Sequence, residues 1–92
     1  MKRLVWDGRA LDDLDSIAAY IAGDSPRAAA RVVAYIKNAA LSLETSPELG
    51  LASPERGVRE FILTRYPYIL VYEIADDEVR ILAVFHHRQL RG

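Results

Sequence analysis

At Gly57 the hydrophobic period of this chain changes from helical to strand-like, and that one switch excludes most of the folds open to it. Upstream, Leu11, Leu14, Ile17, Ala18 and Ile21 recur at spacings of three and four, with Asp12, Asp13, Asp15 and Ser16 on the other face, so an amphipathic helix is predicted. A second stripe of Ala29, Val32, Val33, Ile36, Ala40 and Leu43 predicts another helix running to about Thr45, with Arg27, Arg31 and Lys37 largely off its apolar side. Between them Gly23 stops the first helix, and Ser25-Pro26 starts the second, with serine at the N-cap and proline at the first helical position. Downstream come three short β-rich runs, 57–63, 66–74 and 78–88, joined at Arg65-Tyr66-Pro67 and Ala75-Asp76-Asp77 by hairpin connections. Tyr68 to Tyr72 is apolar on both faces, which suits a central strand with helices on one side and a partner or a concavity on the other. Lys2 to Trp6 reads as a first strand ended by Asp7-Gly8, and the breakers between Ser46 and Pro54 read as the main loop. The expected fold is α+β: a small antiparallel β-sheet packed on an α-helical hairpin, in the order β-α-α-β-β-β.

Length confines this fold to one small domain over residues 1–92. With no cysteine there is no disulfide framework, thiol nucleophile or cysteine metal site. No apolar run approaches the ~20 residues of a membrane span, and no hydrophobic signal segment opens the chain, so a cytoplasmic location without membrane association is expected. A formal charge of −1 supplies no large positive field for nonspecific nucleic-acid binding, so any such role must rest on a local patch.

The candidate chemistry is concentrated at the strand ends. His86, His87 and Arg88 close the last run, where titratable and phosphate-binding side chains would meet solvent. Alternation puts Arg59, Phe61, Leu63 and Arg65 on one face of their strand and Arg80, Leu82, Val84, His86 and Arg88 on one face of theirs. Two readings stand for the arginines. They converge on an anion, or Arg59 and Arg80 are solvated or pair with Glu60, Glu73 or Glu78. Adjacent histidines in a strand point to opposite faces, which argues against a shared metal, and no cofactor motif is present. One of them serves as general acid or base, or simply makes a strand-end hydrogen bond. Tyr66, Tyr68 and Tyr72 read mostly as core, Tyr68 and Tyr72 sharing a face with Leu70 and Ile74, and Asp12, Asp13 and Asp15 are explained by a helix N-terminus.

Ala10-Leu11-Asp12-Asp13-Leu14-Asp15-Ser16-Ile17 with Tyr20-Ile21, Ser25-Pro26-Arg27-Ala28-Ala29, Ser46-Pro47-Glu48-Leu49-Gly50, Gly57-Val58-Arg59-Glu60, Tyr66-Pro67-Tyr68-Ile69-Leu70-Val71-Tyr72 and Val84-Phe85-His86-His87-Arg88, in this order, resemble the RelE/ParE superfamily of type II toxins. The resemblance implies a toxin silenced by the flexible tail of a cognate antitoxin in a hetero-oligomeric complex. ParE-like members inhibit DNA gyrase without chemistry of their own; RelE-like members cleave mRNA on the ribosome. The slightly acidic composition and the absence of a tyrosine after Tyr72 depart from the RelE pattern, and the Val-Phe-His-His-Arg ending looks ParE-like, so gyrase is the expected target. Target contacts are expected from Arg59, Arg65, His86, His87 and Arg88. The alternatives are an mRNA endonuclease with His86 as acid or base and Arg65 and Arg88 on the phosphate, or a non-toxic partner-binding module of the same fold. The antitoxin tail is expected to lay apolar side chains on the helical hairpin and to cross towards the arginines of the meander.

Overall fold

In the computed structural model, which describes residues 1–88, the element order follows the hydrophobic pattern. Strand β1 (Arg3–Trp6) leads into helix α1 (Gly8–Ala22), helix α2 (Pro26–Leu41) and single 3-10 turns at Ser42–Glu44 and Pro47–Leu49. Strands β2 (Leu51–Ala52), β3 (Val58–Ile62), β4 (Tyr68–Ile74) and β5 (Glu78–His86) follow. Residues 89–92 of the expected domain lie outside the described residues. Among those described, no helix is long and apolar enough to cross a membrane.

Local chemistry sets the helix boundaries. Asp7 caps α1, its carboxylate accepting the Arg9 N–H at 3.2 Å, and Ser25 Oγ accepts the Ala28 N–H at 3.1 Å with Pro26 opening α2. The apolar stripe of α1 buries Ala10 and Leu14, while Leu11 stays 44% exposed, so the stripe begins one residue earlier than the spacing suggested.

The five strands run in the order β1-β5-β4-β3-β2, and two features go beyond the sequence reading. The breaker-rich loop contributes the short edge strand β2, paired with β3. The sheet is mixed rather than wholly antiparallel, because β1 lies parallel to β5, Arg3 opposite Glu78 and Trp6 opposite Ile81. The helical hairpin and the meander intervene between these two strands, a connection long enough to bring them together in the same direction. β1 is an edge strand, and the Glu44 turn closes its outer side: Glu44 takes the Lys2 N–H on its carbonyl and the Leu4 N–H on its carboxylate, each at 2.9 Å.

Both helices pack on one face of the sheet. Ala10, Leu14, Val32, Ile36, Ala40 and Leu43 meet Leu63, Tyr68, Leu70, Tyr72, Val79, Ile81 and Val84 in one buried cluster. Tyr68, Leu70 and Tyr72 point under the helices, as their alternation predicted. On the opposite face Ile69 is 3% exposed, flanked in register by Ile62 and Phe85. Tyr72 opposes Ile81 while Val71 opposes Ala83, so Leu82 is the extra residue of a β-bulge. The bulge resets the alternation of β5: Val79, Ile81, Val84 and His86 lie on the helix side, and Arg80 does not share their face. Arg80 instead pairs with Glu78 at 2.8 Å, and Glu78 also meets Arg3 of β1 at 3.3 Å.

Candidate functional site at the end of the last strand

Asp13, Ser16, Ile17 and Tyr20 recur at helical spacing and therefore form one edge of α1. That edge overhangs the end of β5, and Tyr68, Val84, His86 and Arg88 complete an open cleft of about 470 Å³. β1 ends at Trp6, which leaves the outer side of β5 without a strand beyond Ile81. There the Asp13 carboxylate accepts the Val84 N–H at 2.9 Å, tying α1 to the strand end and fixing one wall of the cleft. None of Asp12, Asp13 and Asp15 falls in the first turn of α1, so the helix N-terminus does not account for them, and Asp13 has this structural task instead.

His86 sits opposite Tyr68 in register, and their rings meet edge to face with centroids 5.3 Å apart and planes at 88°. Its Nδ1 accepts the Arg88 backbone N–H at 3.2 Å. In the neutral ring this bond leaves the proton on Nε2. Burial pushes the Tyr68 phenol above its usual value, and the neighbouring Tyr20 hydroxyl acts in the same direction, so Tyr68 is a neutral hydroxyl at physiological pH. Ile17, Val84 and the Tyr68 ring supply apolar surface between these polar groups.

Of the expected site residues, His86 and Arg88 share this cleft. His87 is exposed in the turn that follows, held by its N–H on the Pro67 carbonyl at 2.7 Å. Arg65 lies in the β3–β4 connection, at the same end of the sheet, but lines a separate groove against α2. Arg59 is opposite Tyr72, four residues or about 13 Å of strand from Tyr68. Its guanidinium donates to the Gly50 carbonyl at 3.2 Å and the Glu48 carbonyl at 3.4 Å, holding the loop before β2. The same loop is clasped by the Tyr72 hydroxyl, which accepts the Gly50 N–H at 2.8 Å and donates to the Pro47 carbonyl. Tyr20 was missed as a site residue although one signal was present: an aromatic off the apolar stripe, 86% exposed in the fold. Among the described residues, no three His, Asp or Glu side chains gather as a metal site requires.

A model of the ParE toxin of type II toxin-antitoxin systems, parDE, matches residues 4–91. The chain belongs to this toxin family. This ParE-family chain is 47% identical over 88 residues to the Y4kP protein of Sinorhizobium fredii, covering 96% of the present chain and 91% of the relative. It is 39% identical over 90 residues to Toxin RelE2 of Caulobacter vibrioides, covering 98% and 100% of the two chains. Among solved structures, a chain of the chromosomal ParDE TA system from P. aeruginosa superposes with a TM-score of 0.82 at 28% identity, covering 94% of this ParE-family chain and 96% of the other. The isolated E. coli RelE toxin shares the fold, with a TM-score of 0.67 at 21% identity over 94% and 84% of the chains.

Proposed function

We propose that this ParE-family toxin stops bacterial growth by binding DNA gyrase in the cytoplasm, with no bond-making chemistry of its own, and that a cognate antitoxin silences it. The observation that carries this reading is the dispersal of the cations. Cleaving a phosphodiester calls for several positive groups around one phosphate, poised where charge develops. Here Arg59 is occupied by backbone carbonyls, Arg65 lines another groove, and the cleft that holds His86 and Arg88 also holds the Asp13 carboxylate. Such a cleft suits recognition of a protein segment, with apolar floor, hydroxyls and two cationic or donor groups at its rim. The structural likeness to the ParDE chain favours the same target class. For the antitoxin, Leu11, Leu41 and Leu49 are each about half exposed, 44 to 50%, apolar surface that an amphipathic tail would cover. Purified toxin tested in gyrase supercoiling and in ribosome-programmed mRNA cleavage decides the matter. Inhibited supercoiling with intact mRNA is expected; cleaved mRNA with unaffected gyrase overturns the reading.

One observation favours the mRNA endonuclease as the second reading. His86, Arg88 and Tyr68 line one cleft, bringing an imidazole, a guanidinium and a phenol together, the residue types that acid–base chemistry at a phosphate uses. On that reading His86 acts as acid or base, and His86→Ala lowers cleavage by about 10²- to 10⁴-fold, the usual worth of a positioned acid or base.

A further inference from the structure

The side of α2 turned away from the core meets the β3–β4 connection in a second groove, of about 290 Å³, lined by Arg31, Ala34, Tyr35, Asn38, Arg65 and Tyr66. Two guanidinium groups line it and no carboxylate does. Among the described residues the ion pairs belong to Arg3 and Arg80, both on Glu78, so neither groove arginine is neutralised by an acid. The surroundings reinforce the sign. α2 carries Arg27, Arg31 and Lys37 with no Asp or Glu, whereas α1 sets Arg9 against Asp12, Asp13 and Asp15. In a chain of net charge −1, charge is thus sorted between the two arms of the hairpin. Arg27 stands four residues before Arg31, about 6 Å along the helix axis, and extends the positive ridge beyond the groove.

The tyrosines hold this arrangement rather than offering a stacking platform. Tyr35 and Tyr66 meet edge to face at 5.2 Å and 78°, the Arg65 guanidinium lies 5.8 Å from the Tyr66 ring centre, and the Arg65 N–H donates to the Tyr35 hydroxyl at 3.2 Å. Unstacked bases need open aromatic faces, and the edge-to-face contact and the Arg65 guanidinium take up part of that surface. What remains are guanidinium forks and the Asn38 amide, groups suited to phosphate oxygens and indifferent to sequence. We propose that the groove formed by Arg31, Asn38 and Arg65, with Arg27 one turn away, binds the phosphodiester backbone of a nucleic-acid double helix. The inference is independent of the gyrase reading, since it concerns a different surface and needs no third component.

Fluorescence anisotropy of the purified toxin with a labelled DNA duplex of about 20 base pairs and mixed sequence, titrated with salt, tests it. Three phosphate contacts give a slope of log K against log salt near −2.7, so affinity should fall about 40-fold between roughly 50 and 200 mM salt. Arg31→Gln and Arg65→Gln should each flatten that slope by about 0.9, and Arg31→Glu should abolish binding, with melting curves verifying the fold of each variant. Arg9→Gln, on the other helix, should leave the slope unchanged. Binding of duplex RNA with the same variant dependence supports the proposal, because the backbone chemistry is shared. No binding at the lowest salt, a slope insensitive to the groove variants, tighter binding of single strands, or competition by polyglutamate as strong as by unlabelled duplex would overturn it.

Discussion

Gly50→Ala should unfold the clasp between the loop and the sheet, and its cost follows from three distances. A Cβ at this position would stand 2.5 Å from the Tyr72 hydroxyl oxygen, 2.7 Å from its Cε1 and 3.0 Å from the Glu60 carbonyl. The backbone is not the reason for glycine, since φ −76° and ψ 161° are open to any residue. Space is the reason. The Tyr72 ring is fully buried among Ile36, Leu43, Leu70 and Ile81, so it has little room to retreat, and its backbone is paired on both sides in the sheet. Overpacking of this kind costs about 1–3 kcal/mol, and displacing the hydroxyl from a buried N–H and carbonyl costs about 1–3 kcal/mol more. A combined loss of about 3 kcal/mol should lower Tm by roughly 12–24 °C in a domain of this size. Thermal melts of the parent, Gly50→Ala, Tyr72→Phe and the double variant measure it. Removing the hydroxyl deletes the closest contact, so Gly50→Ala should cost about 1 kcal/mol less in the Tyr72→Phe background. A Gly50→Ala protein melting within about 2 °C of the parent, or an equal cost in both backgrounds, would refute this account.

Three further outcomes are expected. Arg88→Ala, at an exposed position, should alter stability by no more than about 0.5 kcal/mol yet weaken growth inhibition; a folded and fully toxic variant would move the target surface away from the cleft. Leu70→Ala removes a side chain of 0% exposure from the central strand and should cost about 2–5 kcal/mol, so its loss of toxicity should accompany a lower Tm. The Tyr68 phenol is raised above 10.0 by burial, so the fold favours its neutral form: that stabilisation is complete below pH 10 and disappears as pH climbs through the raised value. Melting curves in alkaline buffers should therefore show a shallower decline for Tyr68→Phe than for the parent, and identical declines would contradict the burial argument.

Helices, hairpins and their order were legible because each is specified within a few residues. Ser25-Pro26 carries its own cap, and Tyr68 to Tyr72 carries its two apolar faces. What escaped reading depends on partners far away in the chain. Nothing in Arg3 to Trp6 states which way that strand will run or that Glu78 to Ile81 will receive it. The bulge at Leu82 arises from register, which a single strand does not encode, and it is why Arg80 and His86 part company. Arg59 resembled Arg65 in sequence, but the Gly50 and Glu48 carbonyls that occupy it belong to a loop with no pattern of its own. The lining of the cleft was half visible: strand position singled out His86 and Arg88, whereas Asp13 and Tyr20 join them only once the helix is laid over the strand end.

The parallel seam between β1 and β5 has a consequence for how the protein is born. Arg3 must wait for Glu78, 75 residues later, before the first strand has a neighbour, and Lys2 reaches forward to the carbonyls of Ala75 and Asp76 in the same way. Contacts of such long sequence separation form late and slowly. On a translating ribosome the helical hairpin and the first part of the meander would emerge with their apolar faces uncovered, and the cleft beside His86 would have no far wall until β5 is complete. The lining of that cleft is thereby incomplete until the last strand is made, and the sheet stays open along β1 until Glu78 to Ile81 arrive.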